Sequence, residues 1–190
     1  MAAKKKSAPK AAAPKKDPFW SLIDEYRDGD EYDLDGLTDA LAAGSKEQIV
    51  AFGTRLSELM QESYRGDLWG AAYLANGGCS DDGFDYFRAW LISRGKAAYE
   101  AALENPDSIV DEVGEGEVEL EELLVVAARA WESKTGKDDY YEQMNDGEEE
   151  EDDDEDEDDL DLSWSEDGEG VPEKLEKAYP RLFEKFGDQV

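Results

Sequence analysis

Apolar residues recur along the middle of this chain at three- and four-residue intervals, the repeat of one face of an α-helix. Phe19, Trp20, Ile23 and Tyr26 predict a first helix, with Asp17 as its N-cap and Pro18 in its first turn. Leu34, Leu37 and Leu41 form a short second stripe that stops at Gly44. Ser45 then caps the clearest stripe: Ile49, Phe52, Leu56, Leu59 and Met60. Leu68, Trp69, Ala72 and Tyr73 predict a helix after Gly66 that ends at Asn76-Gly77-Gly78. Ser80 starts another, with Phe84, Phe87 and Leu91 inward and Gly95 closing or kinking it. Tyr99 and Leu103 follow, before Asn105-Pro106. Leu120, Leu123, Leu124, Ala127 and Trp131 make the last strong stripe, before Gly136. No segment alternates apolar and polar residues long enough to predict a strand, and the helical period overrides the β-branched pair Val125-Val126. The expectation is an all-α domain of six to seven helices.

Charge divides the 190 residues further. Residues 1–16 carry six lysines and no acid, and residues 146–169 carry 17 acids and no base. Both read as disordered: the first is Ala, Lys and Pro with nothing to bury, and the second holds an unbroken acidic run from Glu148 to Asp159. Residues 17–145 hold 30 acids against 10 bases, so the helical domain is acidic in its own right. Residues 170–190 are balanced and include an amphipathic element, Val171 to Gly187. Its apolar side carries Leu175, Tyr179, Leu182, Phe183 and Phe186, and Pro180 must kink or restart it. Such an element either docks on the domain or waits for a partner.

Composition narrows the chemistry. Without histidine there is no imidazole base, no Ser-His or Cys-His pair and no histidine-ligated metal. The single cysteine, Cys79, allows no internal disulfide and fits a reducing, cytoplasmic setting. No apolar run reaches the roughly 20 residues of a membrane span. Arg94-Gly95-Lys96 and Thr135-Gly136-Lys137 lack the upstream glycine of a phosphate loop. No cofactor is implied.

The richest stretch runs from Asp67 to Gly95. Asp81, Asp85 and Arg88 fall at i, i+4 and i+7, on one helix face. With Asp82 they can be read as an acid/base or cation site. They can also be read structurally: Ser80 caps the helix, Asp81 and Asp82 complement its positive end, and Asp85 pairs with Arg88. Arg88, flanked by Phe84, Phe87 and Leu91, needs a carboxylate partner if buried, and Asp67 and Asp85 are the candidates. Cys79, at a helix start, is either a thiol of lowered pKa or an ordinary small residue. Glu31, Asp33, Asp35, Gly36 and Asp39 match five positions of a calcium loop, but Ala42 stands where the bidentate Glu belongs. An acidic capped turn is the favoured reading there.

Several of these residues also carry a resemblance. The opening Phe19-Trp20-x-Leu22-Ile23-Asp24, the run Asp67 to Tyr73, and Gly77-Gly78-Cys79-Ser80-Asp81-Asp82-x-Phe84-x-x-Phe87-Arg88-x-Trp90-Leu91-Ile92 resemble a bacterial family catalogued as domain of unknown function 4240. Gly95, Tyr99, Asn105-Pro106-Asp107-Ser108 and the Glu-rich helix at 119–131 fit as well, so the resemblance spans about residues 17–137. It implies a soluble bacterial domain with no established activity, cofactor or partner. Its motif falls on Asp67, Trp69, Asp81, Asp82, Phe84, Phe87, Arg88 and Trp90.

Two functions are carried forward. The first is a non-enzymatic acidic protein that engages a basic macromolecular partner, gripped by the 171–187 element or by Leu160, Leu162 and Trp164 in the acidic tract. The second is an enzyme or small-ligand binder centred on Asp81, Asp82, Asp85 and Arg88. The domain's charge repels nucleic acid. The lysine arm is expected either to attract phosphates weakly and salt-sensitively or, the favoured reading, to fold back on the acidic tract or on the domain.

Overall fold

The computed structural model describes residues 17–114, 118–144 and 171–190. The basic arm 1–16 and the acidic tract 146–169, with Leu160, Leu162 and Trp164, lie outside the described residues.

The expected helices form, and most begin and end on local signals. Helix α1 (Pro18–Glu25) starts with the Asp17 carboxylate accepting from the Phe19 amide at 3.0 Å. Asp33 accepts in the same way from Gly36, at 2.8 Å, ahead of α2 (Leu34–Ala43). Ser45 and Gln48 form a reciprocal capping box before α3 (Lys46–Glu62). Helix α4 (Gly66–Asn76) stops at Gly77, whose φ of +67° lies in the left-handed region. Ser80 caps α5 (Asp81–Ser93), and α6 (Lys96–Glu104) follows directly after Gly95.

Four features depart from the expectation. Arg27–Asp28 (β1) and Glu31–Tyr32 (β2) pair antiparallel, Arg27 opposite Tyr32 and Asp28 opposite Glu31, around a positive-φ Gly29. Strands of two residues are too short for alternation to show in a sequence. Pro106–Asp111 forms a 3₁₀ turn instead of a simple stop. The Leu120–Trp131 stripe enters as a 3₁₀ turn, Glu121–Val125, and becomes α7 (Val126–Thr135) at the Val125-Val126 pair, where the tighter turn still delivers Leu123 to the core. An eighth helix in the domain, α8 (Tyr140–Met144), is a single turn whose buried residue is Tyr140.

The C-terminal element docks. Pro180 splits it into α9 (Val171–Ala178) and α10 (Pro180–Phe186), and Leu175, Tyr179 and Leu182 are buried in the common core. Helix α4 supplies the part of that core beneath it. Leu68, Ala71, Ala72 and Leu74 are all fully buried, with α5 and α10 packed against it. Among the described residues, no helix is long and apolar enough to cross a membrane.

Candidate functional site

The motif residues on α4 and α5 form an aromatic ladder. Trp69 stacks on Phe84 (4.7 Å between centroids), Phe84 on Phe87 (6.2 Å), and Phe87 meets Trp90 (5.7 Å). Trp69 Nε1 donates to the Cys79 carbonyl at 3.2 Å, which ties the Gly77-Gly78 turn back onto α4. Arg88 is drawn into the ladder. Its guanidinium lies over Tyr64 (4.8 Å) and Phe84 (4.9 Å), donates to the Met60 carbonyl and pairs with Asp85. Asp67, the other candidate partner, is held by Arg65, whose Nε donates to it at 3.0 Å.

The remaining carboxylates do not join this group. Asp81 and Asp82 are exposed in the first turn of α5, where Ser80 Oγ accepts from the Gly83 amide at 3.1 Å. They face the positive end of the helix dipole. Asp33 is spent on its cap, Glu31 lies in β2, and Asp35 and Asp39 are exposed on α2. No group of three or more cysteines and carboxylates able to hold a metal ion occurs among the described residues.

A family model described as protein of unknown function (DUF4240) matches residues 15–133, more than half of the chain. The chain belongs to this family. No curated protein and no solved structure matches it. The DUF4240 region thus contains the whole ladder, the hairpin and the Pro106–Asp111 turn, whereas α9 and α10 lie beyond it.

Cys79 sits in this region as a half-buried thiol. Its Sγ donates to the Ser80 carbonyl at 3.6 Å, and burial, reinforced by Glu119 and Asp81, pushes its pKa up to about 12. A nucleophile needs the thiolate, so this cysteine is unsuited to that role at neutral pH. The native protein at pH 7.5 is expected to react with a thiol reagent roughly a hundredfold more slowly than an ordinary cysteine, the roughly thousandfold loss of thiolate being partly offset by the greater nucleophilicity of a more basic thiolate, and at the ordinary rate once unfolded in guanidinium. Equal rates in the two states would contradict the burial argument.

Two residues that spacing did not single out as functional organise much of the domain. Arg94, only 8% exposed, pairs with Asp30 (2.7 Å) and Glu112 (3.1 Å) and donates to Tyr32 Oη (3.1 Å) and the Gly29 carbonyl (3.3 Å). It fastens the β1–β2 hairpin to α5 and to the end of the 3₁₀ turn. Asp107 is the sole buried carboxylate among the described residues. Its signal was present in Asn105-Pro106-Asp107-Ser108, but nothing local says what the carboxylate binds.

An apolar concavity lies elsewhere. A cleft of about 420 Å³ opens between α1, α2 and α3, floored by Phe19, Leu22, Leu41 and Phe52, with Asp17 and Arg55 among its lining residues.

Proposed function

We propose that the domain binds a basic macromolecular partner through its own acidic surface. The observation that supports this most directly is how its few cations are used. Of the ten basic residues in 17–145, Arg55, Arg65, Arg88, Arg94, Lys96 and Lys137 are engaged in ion pairs within the chain. Lys134 donates to the Ala42 carbonyl, and Lys46 lies over the Trp131 ring. The acidic excess therefore faces solvent with few cations left to offset it. It is densest around the hairpin, where Asp24, Glu25, Asp28, Asp30, Glu31, Asp33, Asp35 and Asp39 are all exposed. Concentrated charge of one sign raises the encounter rate with an oppositely charged partner and makes binding salt-dependent. The cleft beside α1 offers that partner an apolar anchor, a role for which the 171–187 element is not free because the domain itself occupies it.

Carbodiimide cross-linking of the full chain to a lysine-rich peptide, mapped by mass spectrometry, tests this reading. Cross-links are expected at Glu25, Asp28, Glu31 and Asp35 at low salt and are lost at about 0.5 M salt, where the screening length falls to a few ångströms. Cross-links confined to 146–169 would assign binding to the acidic tract and reject it for the domain.

A further inference from the structure

The buried Asp107 carboxylate accepts two backbone amides from the C-terminal segment: Arg181 N at 3.1 and 3.2 Å and Leu182 N at 2.9 Å. Three more polar contacts surround this one. Tyr179 Oη donates to the Asp67 carbonyl at 2.8 Å, Lys185 Nζ donates to the Val113 carbonyl at 2.7 Å, and Arg181 pairs with Asp111. The Tyr179 ring lies flush against Gly70, where a Cβ would stand 2.5 Å from its hydroxyl and 2.9 Å from its ring carbons.

These contacts divide cleanly along the chain. Every receiving group (Asp67, Gly70, Asp107, Asp111 and Val113) belongs to the DUF4240 region, and every group received lies beyond its end at residue 133. Receptor and ligand are joined through residues 145–170, a connection dominated by acids. A buried carboxylate is costly unless its hydrogen bonds are satisfied. Here the satisfaction comes from outside the family region, through main-chain amides that any helix entering with the same geometry also carries.

We propose that the face formed by α4 and the Pro106–Asp111 turn is a recognition site for a short helix of the form Tyr-Pro-Arg-Leu-x-x-Lys, and that residues 171–190 are its tethered resident ligand. The aromatic residue fills the space left by Gly70, the two amides after the proline satisfy Asp107, and the Arg and Lys meet Asp111 and the Val113 carbonyl. A partner helix of the same chemistry takes the site by displacing the resident one. The covalent connection opposes that exchange, because it makes rebinding of the resident segment intramolecular. The inference is independent of the charge-driven binding at the hairpin, which involves other residues.

The test uses the full chain with a protease site inserted within 146–169, and a fluorescent peptide of residues 171–190 as probe. After cleavage the probe is expected to exchange into the cut protein and to bind it at least about tenfold more tightly than it binds the intact chain. Tyr179→Ala or Leu182→Ala in the peptide, each removing a buried side chain, is expected to weaken that binding at least about tenfold. Both changes are made in the probe, so the fold of the receptor is not at issue. The proposal is overturned if the cut protein retains its own fragment without exchange, if it unfolds on cleavage, or if cut and intact proteins bind the probe equally. The first two results would make α9 and α10 an integral part of the core.

Discussion

Arg88→Ala is expected to lower the free energy of unfolding by about 3 kcal/mol, whereas Arg88→Met costs less than about 1 kcal/mol. The difference between the two separates packing from charge. The Arg88 side chain is 8% exposed, but its partner Asp85 is 48% exposed and regains water when the pair is broken. The ion pair itself is therefore worth little. What alanine removes is the stem and guanidinium that fill the space between Tyr64 and Phe84, together with the donor to the Met60 carbonyl. Methionine refills that space and also removes the buried Arg88 Nε, which finds no partner. Urea unfolding followed by tryptophan fluorescence checks both variants. Equal losses for Ala and Met would show that the charge, not the packing, holds the ladder together.

Tyr99→Ala is the larger loss, about 4 kcal/mol, while Tyr99→Phe is expected to cost about 1 kcal/mol or less. Tyr99 is 1% exposed, among the largest fully buried side chains, and its ring meets Trp20 at 5.6 Å. Truncation to alanine opens a cavity between α1, α3 and α6. The hydroxyl matters less because of what it bonds. It donates at 2.7 Å to the Leu59 carbonyl, which also accepts from Ser63 N (3.1 Å) and Ser63 Oγ (2.7 Å). Losing one of three donors leaves no buried acceptor unsatisfied, so phenylalanine forfeits only a modest net hydrogen bond. Denaturant unfolding of the two variants side by side reads the contrast, and a Phe variant as unstable as the Ala variant would refute it.

Arg88 also marks how far the candidate site was legible from spacing. That an arginine among Phe84, Phe87 and Leu91 would need a carboxylate if buried followed from helical geometry. Which carboxylate it takes did not. Asp85 lies one turn away on the same helix, whereas Asp67, although on the neighbouring α4, has Arg65 two residues before it. The acids of the apparent calcium loop were separable for the same local reason: a cap at Asp33 consumes one and the start of α2 fans out the others. Nothing local marks the role of Arg94, because the Asp30 and Glu112 it joins stand far from it in the sequence.

The sequence by itself determined the helical stripes of α1 to α7, the caps at Asp17, Ser45 and Ser80, and the acidic balance of the domain. These depend on interactions spanning a few residues, or on composition, and so are written in local order. Tertiary structure alone decided that the hairpin exists at all, that Asp107 faces the amides of Arg181 and Leu182, and that α9 and α10 rest on α4. Each of these joins groups whose separation along the chain carries no period. The energy that selects them comes from long-range contacts, the Arg94 pairs at the hairpin and the surfaces desolvated between α4 and α10, and no spacing rule records which groups meet.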